Sequence, residues 1–132
     1  MAVIRTRAAL AVQHDSLGAA NVSEVLGIEP TESFEIGDPF AQGTRAREHS
    51  HWALDSTADG DLETQLRALI DRLGPLHIAL RDLRRDGYRL TWTCYVEEHD
   101  EGAITLSAAL LNDLGTFPAD LWIESFTDTQ PA

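Results

Sequence analysis

Between Tyr88 and Glu98 the chain reads YRLTWTCYVEE, with Leu90, Trp92, Cys94 and Val96 alternating strictly against Thr91, Thr93, Tyr95 and Glu97. Successive side chains of a strand point to opposite faces, so the pattern predicts a strand with one apolar and one polar face. Such a strand belongs in a sheet covered on one side only. The opening segment has the same character, with Ile4, Thr6, Ala8, Leu10 and Val12 on one parity. Around Trp52, period two sets Ser50, Trp52 and Leu54 against His49, His51, Ala53 and Asp55. Trp52 and Leu54 are expected to face the core, together with Trp92, Leu66 and Leu69. In SFEI the same rule turns Phe34 and Ile36 inward, before Gly37 and Pro39 end the strand. Residues 103–106 read as a short extended piece and residues 119–126 as a closing strand.

Helical spacing separates these strands. Leu62, Leu66, Leu69, Ile70 and Leu73 mark one face of a helix capped by Asp59 or Asp61 and stopped at Gly74-Pro75. Residues 76–87 continue helical, with Leu76, Leu80 and Leu83 inward and Arg81, Arg84 and Arg85 outward. Asn21 and Glu24 stand at capping-box spacing in a short helix that has Gly27 at C′ and Pro30 beyond it. Ser107 caps a last helix that Gly115 closes. Leu26-Gly27-x-x-Pro30 followed by Phe34 returns as Leu114-Gly115-x-x-Pro118 followed by Trp122, a weak internal echo. It is either a duplication or the shared grammar of a helix leading into a strand. The fold expected over residues 1–132 is one α+β domain: a mainly antiparallel sheet of four to six strands with helices packed on one face, ferredoxin-like in spirit.

Charge narrows the function. The formal net charge is -12, with 22 acids against ten basic residues, all of them arginine. Such a chain repels polyanions, which argues against nucleic acid and acidic lipid as partners. The balance is uneven: residues 31–66 and 97–132 are acidic and 67–96 locally basic. The two acidic segments would form one face if the sheet paired the second strand with the last. No apolar run reaches the roughly 20 residues that cross a bilayer, and AALAV is too short for the core of a signal peptide, so a cytoplasmic protein is expected. The lone Cys94 rules out an internal disulfide and reads as a small core residue.

Candidate sites are sparse. His49 and His51 share a strand face, as two ligands of one metal would, but two ligands do not make a site, so no metal and no cofactor are expected. If the strand starts early, the same parity extends to Arg45 and Arg47, giving Arg45, Arg47, His49 and His51 as a cationic ladder. Its guanidinium forks would suit an anion or carboxylate; the plainer alternative is pairing with the surplus acids, worth about 0–1 kcal/mol per exposed pair. Arg81, Arg84 and Arg85 complete the candidate binding surface and read first as a solvated helix face. The 37–48 loop is long for a hairpin, as functional loops are. The acids at positions 97, 98, 100 and 101 lack the spacing of a calcium loop. No nucleophile elbow, phosphate loop or dinucleotide fingerprint is present.

VSEVLGIEPTESFEIGD, then an arginine before HWALDS, then LETQLRALIDRLGP and finally LSAALLNDLG ahead of a closing strand resemble the bacterial family catalogued as domain of unknown function 4279. The resemblance covers about residues 6–126; the HDEGA stretch lies outside its pattern. It implies a single α+β domain and supplies no catalytic residues. The functional expectation is a non-enzymatic interaction module, immunity-like in character, whose acidic surface meets a basic protein. The alternative is a small-molecule-binding or hydrolytic domain using the sheet face and the 37–48 loop. A broad acidic patch would mark the first, a pocket with converging polar groups the second.

Overall fold

The computed structural model describes residues 6–41, 43–98 and 104–127. Strands β1 (Thr6–His14), β2 (Glu32–Phe34), β3 (Ser50–Asp55), β4 (Arg89–Glu98) and β5 (Asp120–Thr127) form one open sheet in the order β2-β3-β1-β4-β5. β1 lies at the centre, antiparallel to both β3 and β4; β2 adds antiparallel to β3, and β5 parallel to β4. Helices α1 (Ala19–Leu26), α2 (Leu62–Leu73), α3 (His77–Arg85) and α4 (Ala108–Leu114) connect them, with a 3-10 turn over Gly74–Leu76 joining α2 to α3. This is the expected α+β class, with one parallel pair at the edge of an otherwise antiparallel sheet. No helix among the described residues is long and apolar enough to cross a membrane.

The alternation seen in the sequence decides which face is covered. Ala8, Leu10 and Val12 of β1, Trp52 and Leu54 of β3, and Leu90, Trp92, Cys94 and Val96 of β4 form one buried cluster with Leu66, Leu69 and Leu73 of α2, Leu80 and Leu83 of α3 and Leu110 of α4. The opposite parity stays outside that cluster. Trp52 and Trp92 are essentially inaccessible to solvent. The Trp52 indole also donates to Ser23 Oγ at 3.0 Å, fixing α1 to β3.

Helix caps do much of the joining. Asp61 accepts from Thr64 N–H at 2.9 Å at the start of α2, and Ser107 from Leu110 N–H at 3.1 Å at the start of α4. Glu63 of α2 then accepts from both the amide and the hydroxyl of Ser107, at 2.8 and 2.9 Å, and Arg67 pairs with Asp113. α1 departs from expectation. It begins at Ala19, ahead of Asn21, and Gly18 at its N-cap position has no side chain to offer. The remote Glu35 carboxylate fills that role, accepting from Ala19 N–H at 2.6 Å and Ala20 N–H at 2.9 Å. A Cβ at residue 18 would stand 2.9 Å from that carboxylate, so glycine is what lets Glu35 in.

Other expectations are corrected. Phe34 lies opposite His51 and so on the uncovered face, and Ile36 is exposed, because β2 is a three-residue edge strand whose register sets Ser33 across from Trp52. Residues 104–106 carry no regular structure. β3 begins only at Ser50, so Arg45 and Arg47 belong to the preceding loop. β2 and β5 occupy opposite edges, so the sheet does not bring the two acidic segments together. The internal echo survives as topology: β1-α1-β2 and β4-α4-β5 both link parallel strands. The halves are not replicas, since β3 separates β1 from β2, and Gly27 is left-handed (φ 68°) where Gly115 is right-handed (φ -65°).

Candidate binding site on the uncovered sheet face

The strand register lays out the uncovered face as rows running across the sheet. One row is Glu32, Ala53, Ala11, Thr91 and Asp120; the next is Asp55, Ala9, Thr93 and Trp122. Both are small in the middle. The flanking rows are tall: Phe34, His51, Gln13 and Arg89 on one side, Arg7, Tyr95 and Glu124 on the other. Small rows between tall rows make a trough. Its volume is ≈ 300 Å³, and it is lined by His51, Gln13, Arg7, Tyr95, Glu32 and Trp122 around the alanine and threonine floor. Ala11 and Ala53 are only 5% exposed although no helix among the described residues covers them.

The polar groups of the walls are partly committed. Gln13 Nε2 and His51 Nδ1 are 2.9 Å apart. A glutamine amide nitrogen can only donate, so Nδ1 accepts and the His51 proton sits on Nε2. Burial lowers the His51 pKa from its ordinary value, outweighing the opposing pull of Glu32, which favours the neutral ring. Arg7 pairs with Asp55 at 3.2 Å. Glu32 has no ion-pair partner among the described residues, which leaves one uncompensated carboxylate at the β2 end of the trough. Tyr95 and Trp122, with ring centroids 6.4 Å apart, form an aromatic end on the β5 side, where Trp122 is 53% exposed.

The 37–48 loop packs beside β2, one ring away from the trough. Gly37 N–H donates to Arg47 O at 2.9 Å, Arg47 N–H to Asp38 O at 2.8 Å and Phe40 N–H to Arg45 O at 3.1 Å, making a narrow hairpin with a bridge between Pro39 and Ala46. It folds Arg47 against both Phe34 and Phe40, with Arg45 over Phe40 at 5.9 Å. Phe34 in turn stacks on His51 at 4.9 Å and stands 6.0 Å from His49. The expected cationic residues are therefore gathered, but around two phenylalanines rather than along a strand. Neither Arg45 nor Arg47 has an ion pair among the described residues. The pairs formed are Arg7–Asp55, Arg67–Asp113, Arg85–Asp82 and Arg89–Asp15.

Arg81, Arg84 and Arg85 lie apart from this site, exposed on α3 on the covered side of the sheet. Among the described residues no three His, Cys, Asp or Glu side chains are placed to hold a metal ion. His14 is committed elsewhere: Nδ1 accepts from Ser16 and Leu17 N–H at 2.9 Å, and Nε2 donates to Asp86 O at 2.9 Å. His77 stacks on Phe117 at 4.2 Å. His99, Asp100 and Glu101 of the acidic turn lie outside the described residues. Cys94 is buried, and burial pushes its thiol up to about 12, which removes it as a nucleophile at neutral pH.

The chain matches the family described as Domain of unknown function (DUF4279) over residues 4–126. It belongs to that family. No curated protein and no solved structure gives a significant match. The DUF4279 match covers every strand and helix above except the last residue of β5, so the whole trough lies within it. Sequence reasoning picked out His51 and the loop arginines but missed Gln13, Thr91, Thr93 and the alanine floor. The signal was there: alanines at alternate positions of β1, on the parity where a solvated strand carries polar side chains.

Proposed function

We propose that this DUF4279 protein is a non-catalytic binding domain that takes a small molecule in the sheet-face trough. The observation carrying this reading is the shape of the uncovered face, where small residues in register on three strands lie between two tall rows. The volume sits at the lower end of the roughly 300–1,000 Å³ of ligand pockets. Glu32 at one end, and Tyr95 with Trp122 at the other, suit a molecule with a cationic head and a flat tail; the net charge of -12 favours the same sign. Binding rather than turnover is supported by the engagement of His14, the withdrawal of Cys94 and the tie between His51 and Gln13.

Titration with arylalkylamines such as tyramine is expected to shift the backbone amides of Ala9, Ala11, Ala53, Thr91 and Thr93. Ala11→Phe, which raises a ring from the floor without touching the core, is expected to abolish those shifts. A panel of such amines that moves other amides and leaves these five in place rejects the reading.

The edge of β5, unpaired among the described residues, favours a second reading, a basic protein partner adding an extended segment to the sheet. Asp120 and Glu124 flank Trp122 on one face, all three exposed. Antiparallel pairing of two β5 edges centred on Trp122 would set these acids against each other, which disfavours a second copy of this chain. An extended peptide alternating arginine and valine is expected to bind more weakly as salt rises, and to lose binding to the double variant Asp120→Lys, Glu124→Lys. Affinity independent of salt would remove this reading.

A further inference from the structure

Arg47 has no ion-pair partner among the described residues, although acids outnumber basic residues 22 to ten in this protein. Its guanidinium carbon lies 3.9 Å from the Phe34 ring centroid and 4.0 Å from that of Phe40, and its Nε is buried without a hydrogen-bond partner. The main chain beneath is tied on both sides, through the Arg47 amide to Asp38 O and the Arg47 carbonyl to Gly37 N–H. The rings lie against the faces of the group, so its terminal Nη edge is the part left for hydrogen bonding, and such an edge meets an oxyanion through paired bonds. The stacking also removes side-chain freedom in advance, so little is left to lose on binding. Arg45 over Phe40 adds to the local positive field, and the His49 ring stands beside Phe34 as a further hydrogen-bonding group. Apolar packing alone would hold the loop as well with leucine or methionine here, and it gives no account of a buried, unsatisfied donor.

We propose that Arg47, clamped by Phe34 and Phe40 with Arg45 and His49 beside it, is an oxyanion-binding site that takes a carboxylate or phosphate group. It stands one ring away from the trough, since Phe34 touches both Arg47 and His51, and it does not depend on the trough being occupied.

The test follows the arginine side-chain Nε–H resonances by NMR during titration with inorganic phosphate and, separately, sodium acetate, ionic strength being held with chloride. The Arg47 signal is expected to shift saturably while Arg81 and Arg84 stay put. Saturation by phosphate alone, by acetate alone or by both identifies the group accepted. Arg47→Lys, which keeps the charge and loses the fork, is expected to weaken binding about tenfold, the equivalent of one charge-assisted hydrogen bond; the backbone amides of residues 37–48 then report it. Phe40→Leu, which keeps the arginine and removes one ring, should also weaken it, and the dispersion of the backbone spectrum shows that each variant is folded. Ala11→Phe, which blocks the trough, leaves this titration unchanged. An Arg47 signal that moves no more than those of Arg81 and Arg84 in both anions overturns the proposal, as does an Arg47→Lys protein that binds like the parent.

Discussion

Trp52→Ala is expected to cost about 3–5 kcal/mol, enough to leave a domain of ordinary stability largely unfolded. The indole is completely buried between the sheet and the helices, so its removal opens a cavity that rigid neighbours on β1 and α1 can only partly close. The loss of the bond from Nε1 leaves Ser23 Oγ without that donor. Chemical denaturation measures the effect directly. A milder pair of variants separates packing from hydrogen bonding: Trp52→Phe forfeits the Ser23 bond, whereas Trp92→Phe forfeits none, because the Trp92 indole nitrogen is buried without a partner. Trp52→Phe should therefore be the worse of the two by about 1 kcal/mol. A Trp52→Ala protein that melts with the parent would refute the inward face assigned to β3.

Gln65→Met is expected to cost about 2–4 kcal/mol, although methionine fills nearly the same space, because the loss is of hydrogen bonds and not of volume. β3 stops at Asp55, opposite Ala9, and the last main-chain bond on that side runs from Ser56 N–H to Ala8 O at 2.8 Å, leaving Ala8 N–H and Thr6 O to find a side-chain partner. The Gln65 amide takes the missing place, accepting from Ala8 N–H at 3.0 Å and donating to Thr6 O at 2.7 Å and Gly60 O at 3.1 Å. A side chain on α2 thus continues the ladder where the backbone ends. Methionine leaves a buried amide and its carbonyls unpaired. Faster hydrogen exchange at Ala8, together with a lowered denaturation midpoint, is the expected signature; an unchanged midpoint would mean that water replaces the glutamine at no cost.

What could be read from the sequence followed from periodicity. Strict alternation in β3 and β4 assigned Trp52, Trp92 and Cys94 to the core, and the leucine spacing of α2 assigned its inner face, because burial leaves a regular trace wherever an element is long enough to show a period. β2 was misread for the complementary reason. Three residues carry too little pattern, and register with β3 overrode the apparent parity of Phe34. Contacts between distant segments left no local mark: neither the carboxylate of Glu35 on α1 nor the amide of Gln65 on β1 follows any spacing rule. The candidate binding surface was half legible. The arginines and histidines stood out as cations in an acidic chain, but the trough depends on which residues of separate strands fall side by side, and that is set by strand order.

The central position of β1 bears on how the chain is made. Thr6 pairs with Val96, and Gln13 pairs with both His51 and Arg89, so β1 cannot acquire its second neighbour until the segment carrying β4 has left the ribosome. Until then Leu10 and Val12 wait with one flank open, in the kind of half-built sheet that invites association with other chains. Folding should therefore be slow for a chain of this length, and the nascent protein most vulnerable to aggregation in the interval between the synthesis of α2 and that of β4.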